Sequence, residues 1–257
     1  MSSARETSSY KDSLSDDVPT VKGGSTFYDA IYARQAAGKT DDLPQLFALL
    51  ETYAPTSTRA LCLCGGFGRV ALPLAERGLS VDVWDLAKTQ LIAGQEEACR
   101  RGLEVAFRQL DCTAPPEAAL RETEPIDVVF CTHYAINEIT EAPERLFQTA
   151  ASMLIPKGIL ILQTLPRPWR PIDAMTRPVK TADPSLPTPF AWSVELSDNR
   201  HLLYRYTFMP GGTRAQVSGN SLLRRYWTDE ALTTAAATAN LSLCRRIAGG
   251  FFVFGLI

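Results

Sequence analysis

At 257 residues, the chain is long enough to fold as one large α/β domain or as a domain with an inserted cap. Its formal net charge of −2 gives no support for a broad nucleic-acid-binding surface. No apolar stretch in the sequence is long enough to span a bilayer. We therefore expect neither nucleic acid nor membrane as a partner, while the oligomeric state stays open and a homodimer is one option.

The first 25 residues differ in composition from the rest of the chain. They are rich in Ser, Thr, Asp and Lys and contain no apolar core of a signal peptide. We interpret residues 1–25 as a disordered or loosely attached polar arm, and the protein as cytoplasmic. The six cysteines agree with a reducing compartment, because most lie inside apolar runs and their scatter does not resemble a disulfide framework.

Four of the cysteines raise the question of a metal site. Cys62 and Cys64 lie two residues apart on a predicted strand, so both side chains are expected to face the same way. Cys112 and Cys131 are predicted at the ends of other strands. The spacing fits no zinc pattern, and a free cysteine is commonly a small buried hydrophobe, so we predict no metal.

Strands and helices alternate along the chain up to residue 165. The predicted strands cover residues 60–64, 81–85, 105–110, 126–131 and 159–163. The predicted helices cover residues 27–32, 41–53, 68–77, 87–101 and 142–154, with Asp41 and Asp42 as capping acids of the second and Gly102 as the C-cap of the fourth. This order predicts an α/β fold with a Rossmann-like, mostly parallel sheet and helices on both faces.

A different pattern begins at Leu165. Many prolines make residues 166–189 irregular, and alternating apolar patterns then predict antiparallel strands at residues 191–196, 202–208 and 216–226. We interpret residues 165–226 as an antiparallel β insertion that forms a substrate lid over the carboxyl edge of the sheet, within a domain of residues 26–257. A final helix at residues 228–240 and strands at residues 241–247 and 251–257 complete a seven-stranded sheet.

The most informative motif is the glycine turn after the first predicted strand. The apolar run from Ala60 ends at Gly65-Gly66-Phe67-Gly68, a helix follows, and the next strand ends on Asp85. Glycines let the backbone approach a ligand, and a helix N-terminus presents N–H groups to polar atoms. Asp85 can accept hydrogen bonds from two ribose hydroxyls, or it can cap the next helix. Strand, turn, helix and acid together indicate a nucleotide-binding sheet.

With these elements placed, residues 27–257 resemble the class I S-adenosylmethionine-dependent methyltransferases. Gly66 and Gly68 match the last two glycines of that family's first motif, and Asp85 matches its ribose-binding acid. Residues 154–158 resemble the family's Leu-x-Pro-Gly-Gly turn, and residues 226–230 resemble its entry to the last helix. The resemblance implies a methyltransferase with S-adenosylmethionine as its cofactor.

The same resemblance implies a set of cofactor-binding residues. Asp111 matches the residue that contacts the adenine amino group, although it could equally be a turn residue. Residues 131–137 match the segment that lines the methionine and substrate pocket. The expected cofactor-binding residues are Tyr28, Cys64, Gly65, Gly66, Gly68, Asp85, Leu86, Asp111, Cys112, Cys131 and Thr132.

Two positions of the first motif depart from the family. Cys62 stands where the family has an acid that orients the glycine loop, and Cys64 stands where it has a glycine. A neutral thiol cannot replace the acid. Three alternatives stay open: weaker cofactor binding, contacts supplied by Tyr28, Tyr32 or backbone groups, or a fold that binds the cofactor without transferring a methyl group.

Methyl transfer from a sulfonium is an in-line displacement, for which positioning of the nucleophile in a dry pocket can contribute about 7–11 kcal/mol. His133 is the candidate base, because it follows the central strand and because an imidazole, whose pKa lies near neutral pH, is suited to removing a proton from the acceptor. The alternative is that His133 hydrogen-bonds a backbone carbonyl and shapes the pocket. Tyr134 is the second catalytic candidate. Tyr134 and Asn137 are each expected to orient the substrate, or else to pack or to cap a helix. His201 is expected to be structural or exposed.

The predicted insertion combines aromatic and arginine side chains. This mixture suits a lid with a cationic contact for a carboxylate-bearing or aromatic small molecule. Most of the arginines, with Arg224 and Arg225 among the candidates, are instead expected on the solvated face of antiparallel strands. Trp227 is expected among the lid's aromatic residues.

We therefore predict methyl transfer from S-adenosylmethionine to an N, O or C atom of a small-molecule substrate, as in specialised metabolism. One alternative is an NAD(P)-dependent oxidoreductase, because residues 66–71 satisfy the dinucleotide-binding pattern and Asp85 follows about 20 residues on. The other is a non-methylating protein of the same fold, either a cyclase or a cofactor-binding partner protein.

Overall fold

The structure, a computed structural model, describes residues 20–21, 25–26, 40–165, 177–179, 190–198, 201–208 and 221–257. The strands are β1 (Thr20–Val21), β2 (Ser25–Thr26), β3 (Arg59–Leu63), β4 (Ser80–Asp85), β5 (Val105–Gln109), β6 (Ile126–Cys131), β7 (Leu154–Gln163), β8 (Arg177–Val179), β9 (Phe190–Asp198), β10 (His201–Phe208), β11 (Ser221–Arg225), β12 (Leu241–Ile247) and β13 (Phe251–Leu256). The helices are α1 (Leu43–Tyr53), α2 (Ala71–Glu76), α3 (Lys88–Arg101), α4 (Glu117–Glu122), α5 (Glu144–Met153) and α6 (Asp229–Ala237), and a 3₁₀ turn covers Ala135–Asn137.

Seven strands form one sheet in the order β12-β13-β7-β6-β3-β4-β5. The neighbours from β7 to β5 pair in parallel, whereas β13 runs antiparallel to both β7 and β12. The predicted mostly parallel, seven-stranded sheet is therefore confirmed, including its closing antiparallel pair. Because the carboxyl ends of β6, β3, β4 and β5 lie side by side, side chains from four separate loops meet at one edge.

The core lies on both faces of this sheet. Along β3, Ala60 and Cys62 pack with residues of α1, α2 and α3, whereas Leu61 and Leu63 pack with residues of α5 and α6. This alternation is the two-residue period of a strand buried on both faces. The prediction of helices on both faces is thus confirmed.

The strand β7 differs from its prediction at residues 159–163, because it begins at Leu154. Lys157 has a left-handed φ of 69°, and the register with β6 shifts between Ile126 and Val128. A Cβ at Gly158 would lie 2.9 Å from the carbonyl oxygen of Ile155. The expected turn is therefore an irregularity inside a longer strand, which a glycine at this position allows.

The chain divides into two compact units, Met1–Ile31 with Arg170–Arg224 and Tyr32–Trp169 with Arg225–Ile257. In the first unit, β9 pairs antiparallel with β8 and β10, and the four-stranded order is β11-β10-β9-β8. The antiparallel insertion is thus present, with the short β8 as a strand that the sequence did not predict. Its role as a lid stays a prediction, and the helix predicted at residues 27–32 lies outside the described residues.

Within the described segments, none of the helices has both the length and the apolar character needed to cross a membrane.

Candidate functional site

The turn between β3 and α2 is held in one conformation by backbone hydrogen bonds. The N–H of Gly65 donates to the carbonyl of Trp84 at 3.2 Å, and the N–H of Gly68 donates to the carbonyl of Gly65 at 2.9 Å. Gly66 and Gly68 have left-handed φ values of 50° and 84°, which glycine adopts without strain. A Cβ at Gly66 would also lie 2.4 Å from Oε1 of Gln90.

Asp85, the last residue of β4, joins this turn to the next loop. Its Oδ2 accepts the N–H of Gly66 at 2.8 Å, and its Oδ1 accepts the N–H of Ala87 at 2.8 Å. The N-cap position of α3 is held by Ala87, whose side chain makes no capping hydrogen bond, so Asp85 does not occupy the N-cap position. A carboxylate has about four acceptor positions, so these two backbone bonds are compatible with further hydroxyl ligands.

Cys62 is a core residue. Its side chain is 3% exposed, and burial raises the pKa of its thiol from the ordinary value of 9.0 to about 12, with a smaller opposing effect of Arg69. Cys62 therefore stays neutral and cannot act as the orienting acid. That orienting task falls to Asp85 and to backbone groups, which hold the glycine turn directly.

Cys64 does not face the same way as Cys62, and that prediction is wrong. Cys64 follows the strand with a left-handed φ of 52°, which turns its side chain against the opposite core cluster. Its N–H donates to Sγ of Cys112 at 3.1 Å. The thiol of Cys112 donates in turn to the carbonyl of Trp84 at 3.4 Å.

Cys64, Cys112 and Cys131 form a cluster of thiols at the carboxyl ends of the strands. The hydrogen bond with Cys112 lowers the pKa of the Cys64 thiol, but the hydrogen bond with Cys131 and burial outweigh it and raise that pKa well above 9.0. The hydrogen bond with Cys64 and then burial raise the pKa of the Cys112 thiol. Neutral thiols are poor metal ligands. No group of three or more potential metal-ligating side chains suits a metal ion in the described segments.

The loops after β4 and β5 present an apolar and a polar group side by side. Leu86 is 56% exposed, and its carbonyl accepts Nε2 of Gln109 at 3.2 Å. Oδ1 of Asp111 accepts the N–H of Thr113 at 2.8 Å and its hydroxyl at 2.6 Å, which is an Asx turn. The turn role of Asp111 is therefore observed, and its contact with adenine stays a prediction.

The segment after β6 carries both catalytic candidates in an uncommon conformation. His133 and Tyr134 have consecutive left-handed φ values of 55° and 65°, and their rings stack with centroids 5.7 Å apart. The N–H of His133 donates to Oε1 of Gln163 at 2.7 Å. Left-handed non-glycine residues cluster at functional sites, so this half-buried turn after Thr132 is a candidate site by its backbone alone.

Asn137 fastens that turn to the rest of its unit. Its side chain is fully buried, and its Nδ2 donates to the carbonyl of Arg225 at 2.8 Å. Its Oδ1 accepts the hydroxyl of Thr164 and the N–H of Leu165, each at 3.1 Å. The segment that carries His133 is thereby joined to the end of β7 and to Arg225, which belong to the same unit.

The expectation for Trp227 is wrong, and two of the insertion's arginines are exceptions to the predicted solvated face. Arg224 is 7% exposed and Arg225 is half-buried, so neither lies on a solvated strand face. Trp227 is buried in the core of the seven-stranded unit, where its Nε1 donates to the carbonyls of Ile136 and Ile139 at 3.1 Å each. These contacts join residues about 90 positions apart in sequence and decide burial in a way that local patterns cannot.

Asp42 also differs from its prediction. It makes no side-chain cap to α1 but forms a bidentate pair with Arg69, the residue after Gly68. The Arg69 side chain is 6% exposed, so the pair buries a guanidinium against the glycine turn. The N-terminus of α1 is thereby fastened to the turn.

Most of the predicted site residues come together at one edge of the sheet. Cys64 to Gly68, Asp85 and Leu86, Asp111 and Cys112, and Cys131 to Tyr134 follow four adjacent strands. Tyr28 and Tyr32 lie outside the described residues. Gln163 was missing from the predicted site residues, and a polar residue that ends an apolar run, as Gln163 does after Ile159, is a signal that could have identified it.

The comparison with protein families gives one match. Residues 60–158 match the family model described as "Methyltransferase domain". The tRNA 5-carboxymethoxyuridine methyltransferase of Escherichia coli (strain K12) is 31% identical over 114 residues, which cover 44% of this chain and 42% of that protein. The aligned part of this chain thus spans less than half the length of that relative.

Solved structures match over most of the chain. The CcbJ methyltransferase from Streptomyces caelestis has a TM-score of 0.70 at 18% identity, covering 90% of this chain and 97% of that one. SAM-bound CalS10, an amino pentose methyltransferase from Micromonospora echinaspora, has a TM-score of 0.66 at 19% identity, covering 90% and 96%. At these identities the likeness shows the fold.

Proposed function

We propose that this chain, whose residues 60–158 match a methyltransferase domain and whose fold is that of solved S-adenosylmethionine-dependent methyltransferases, transfers a methyl group from S-adenosylmethionine to a small-molecule acceptor. One observation carries the proposal: the carboxylate of Asp85 is bonded to the N–H of Gly66 at 2.8 Å, at the edge where four parallel strands end.

The residues at this edge fit an adenosine group. Asp85 offers a half-buried carboxylate that is already fixed in position by two backbone N–H groups. Leu86 offers an exposed apolar surface for a planar base. Gly66 and Gly68 carry no side chain, so a ligand can approach the backbone of the turn at these positions. In this proposal Asp85 binds the ribose, Leu86 and Asp111 the adenine, and the cluster of Cys64, Cys112 and Cys131 lies beside the methionine part.

S-adenosylmethionine, when bound, supplies an electrophilic methyl group on a sulfonium. The residues of this chain then have to position the acceptor and exclude water, since in-line displacement gains mainly from orientation. His133 and Tyr134 are suited to positioning the acceptor, because their turn follows β6 and is fixed by Gln163 and Asn137. Where the acceptor atom carries a proton, the imidazole of His133 removes it.

A small molecule is the proposed acceptor, with two lines of support. The chain carries a formal net charge of −2, whereas RNA-binding domains usually present a strong basic surface. CalS10, which shares the fold, is an amino pentose methyltransferase by its description. The Escherichia coli relative acts on tRNA, so RNA is the competing acceptor class. Specialised metabolism and a cytoplasmic location are part of the same proposal.

The test of methyl transfer uses S-adenosylmethionine labelled in the methyl group, together with a metabolite extract. We expect the labelled methyl group to appear in small molecules, with one S-adenosylhomocysteine formed for each methyl group transferred. His133→Gln should lower kcat by about 10²-fold or more if the imidazole acts as the base, with the affinity for S-adenosylhomocysteine unchanged. Cofactor binding without label transfer to any extract would support the non-methylating alternative, and saturable NADH binding would support the oxidoreductase.

The role of Asp85 requires a test that separates ribose binding from support of the glycine turn. Asp85→Ala removes both, so we combine it with a ligand change, S-adenosylhomocysteine against its 2′-deoxyribose analogue. If Asp85 binds the ribose, the analogue should bind about tenfold more weakly to the wild type but equally to Asp85→Ala. Equal losses in both proteins would assign Asp85 to the turn alone.

A further inference from the structure

The side chain of Arg225 is held beside the segment that carries the catalytic candidates. Its Nη1 donates to the carbonyl of Thr140 at 2.8 Å, and its guanidinium carbon lies 4.0 Å from the ring centroid of Trp227. Trp227 is itself fixed by the carbonyls of Ile136 and Ile139. The guanidinium therefore rests on a rigid aromatic platform rather than moving in solvent.

Among the described residues, the half-buried guanidinium of Arg225 has the carbonyl of Thr140 as its hydrogen-bond acceptor and has no counter-ion. Nε is buried and has no hydrogen-bond partner, and no carboxylate among the described residues forms an ion pair with Arg225. A guanidinium has five N–H donors, and a partly desolvated cation without a counter-ion favours an anionic ligand. Other arginines of the same unit have carboxylate partners: Arg59 with Glu124, Arg69 with Asp42, Arg77 with Glu51, Arg108 with Asp82 and Arg246 with Asp229.

We propose that Arg225 binds an anionic group of the acceptor, a carboxylate or a phosphate, through the edge of its guanidinium that Thr140 does not use. An anion at the Nη2 end of this edge would supply the missing counter-ion through a charge-assisted hydrogen bond. The inference rests on the proposed function, since the anion belongs to the acceptor. It narrows the acceptor to acid-bearing small molecules.

Arg225 is hydrogen-bonded to the short segment that also carries the catalytic candidates. Thr140 ends the stretch that begins at Thr132, and the carbonyl of Arg225 accepts Nδ2 of Asn137 within the same stretch. An anion held by Arg225 is thus held against the segment that carries His133 and Tyr134. The contact is a single fixed cation rather than a basic patch, which suits a small acid better than an RNA backbone.

The test follows arginine Nε–H resonances in ¹H–¹⁵N spectra of the full chain. Acetate or inorganic phosphate is titrated at constant ionic strength, with chloride as the blank. We expect a saturable shift of the Arg225 resonance and none beyond the chloride blank for Arg77, which stacks 3.7 Å over the Phe47 ring but already pairs with Glu51. Equal shifts of the two resonances would overturn the proposal.

Variants give a second measurement, followed on the indole N–H of Trp227. Arg225→Lys keeps the charge but loses the planar fork, and it should weaken acetate binding by about tenfold or more. Arg77→Lys, the matched control, should leave it unchanged. Acetate binding as tight in Arg225→Lys as in the wild type would contradict the inference. If Arg225→Lys does not fold, the comparison of the two wild-type resonances decides.

A separate arm keeps the failure of this inference distinct from the failure of the proposed function. The same sample is titrated with S-adenosylhomocysteine, and absence of binding counts against the methyltransferase proposal alone. A short RNA oligomer is titrated last. A saturable shift of Arg225 by RNA, with none from acetate or phosphate, would overturn the small-acid assignment.

Discussion

The thiol of Cys62 links the stability of the fold to alkaline pH. Burial raises its pKa from 9.0 to about 12, so between these values the unfolded chain loses a proton that the folded chain keeps. The contribution of this thiol to the free energy of unfolding is therefore fully present below pH 9. It falls as the pH rises from 9 toward 12, by up to about 4 kcal/mol.

Urea unfolding at several pH values above 8 checks this. Cys62→Ala should flatten the decline between pH 9 and 12, although Cys64 and Cys112 retain part of it because their pKa values are also raised. Cys99→Ala, at an exposed position of α3, should leave the slope as it is in the wild type. An unchanged slope in Cys62→Ala would mean that this thiol is not buried as described.

At the scale of elements, the pair Arg69–Asp42 connects α1 with the glycine turn. Asp42→Ala leaves the 6%-exposed guanidinium without its bidentate partner, and we expect a loss of about 3–5 kcal/mol in unfolding free energy. The double variant Asp42→Leu with Arg69→Met should recover most of that loss, because two apolar residues replace a buried pair. Chemical denaturation measures both, and a loss below about 1 kcal/mol in Asp42→Ala would place the pair in solvent.

Asn137 connects the segment of His133 and Tyr134 with the end of β7 and with Arg225. Asn137→Ala leaves the N–H of Leu165 and the carbonyl of Arg225 without this partner, and each such buried group costs about 1–3 kcal/mol. Hydrogen exchange should also speed up at residues 133–137. Gln95→Ala, which removes a side-chain amide from an exposed face of α3, is the control and should change neither. Unaltered exchange in Asn137→Ala would contradict the connecting role.

At the scale of the whole molecule, charge separates the two acceptor classes. With a formal net charge of −2, the chain should show no saturable binding to a generic RNA duplex at about 0.15 M salt. Fluorescence anisotropy with a labelled duplex measures this. Binding that weakens steeply with added salt would reveal phosphate contacts and favour RNA as the acceptor.

Much of the fold followed from sequence because its signals are local. The apolar run at β6, Gly102 as the left-handed C-cap of α3 and Thr228 as the N-cap of α6 each specify an element within a few residues. The mostly parallel, seven-stranded sheet then follows from the alternation of strands and helices and from the family resemblance.

The errors lie where tertiary contacts override local pattern. The left-handed φ of Cys64 turns its side chain to the face opposite the expected one. Trp227 packs in the main core, where its indole N–H donates to the carbonyls of Ile136 and Ile139. Asp42 leaves its capping role for Arg69, 27 residues away. None of these partners is visible from spacing alone, because each depends on which loops the finished sheet brings together.

The central claim is that the glycine turn and Asp85 bind S-adenosylmethionine. Isothermal calorimetry of the full chain with S-adenosylhomocysteine, and with NADH as the competitor class, tests it most directly. We expect saturable one-to-one binding of S-adenosylhomocysteine to the wild type and no binding of NADH. Asp85→Ala should lose the binding of S-adenosylhomocysteine while it keeps the fold. Absence of S-adenosylhomocysteine binding to the folded wild type, or undiminished affinity in Asp85→Ala, would contradict it.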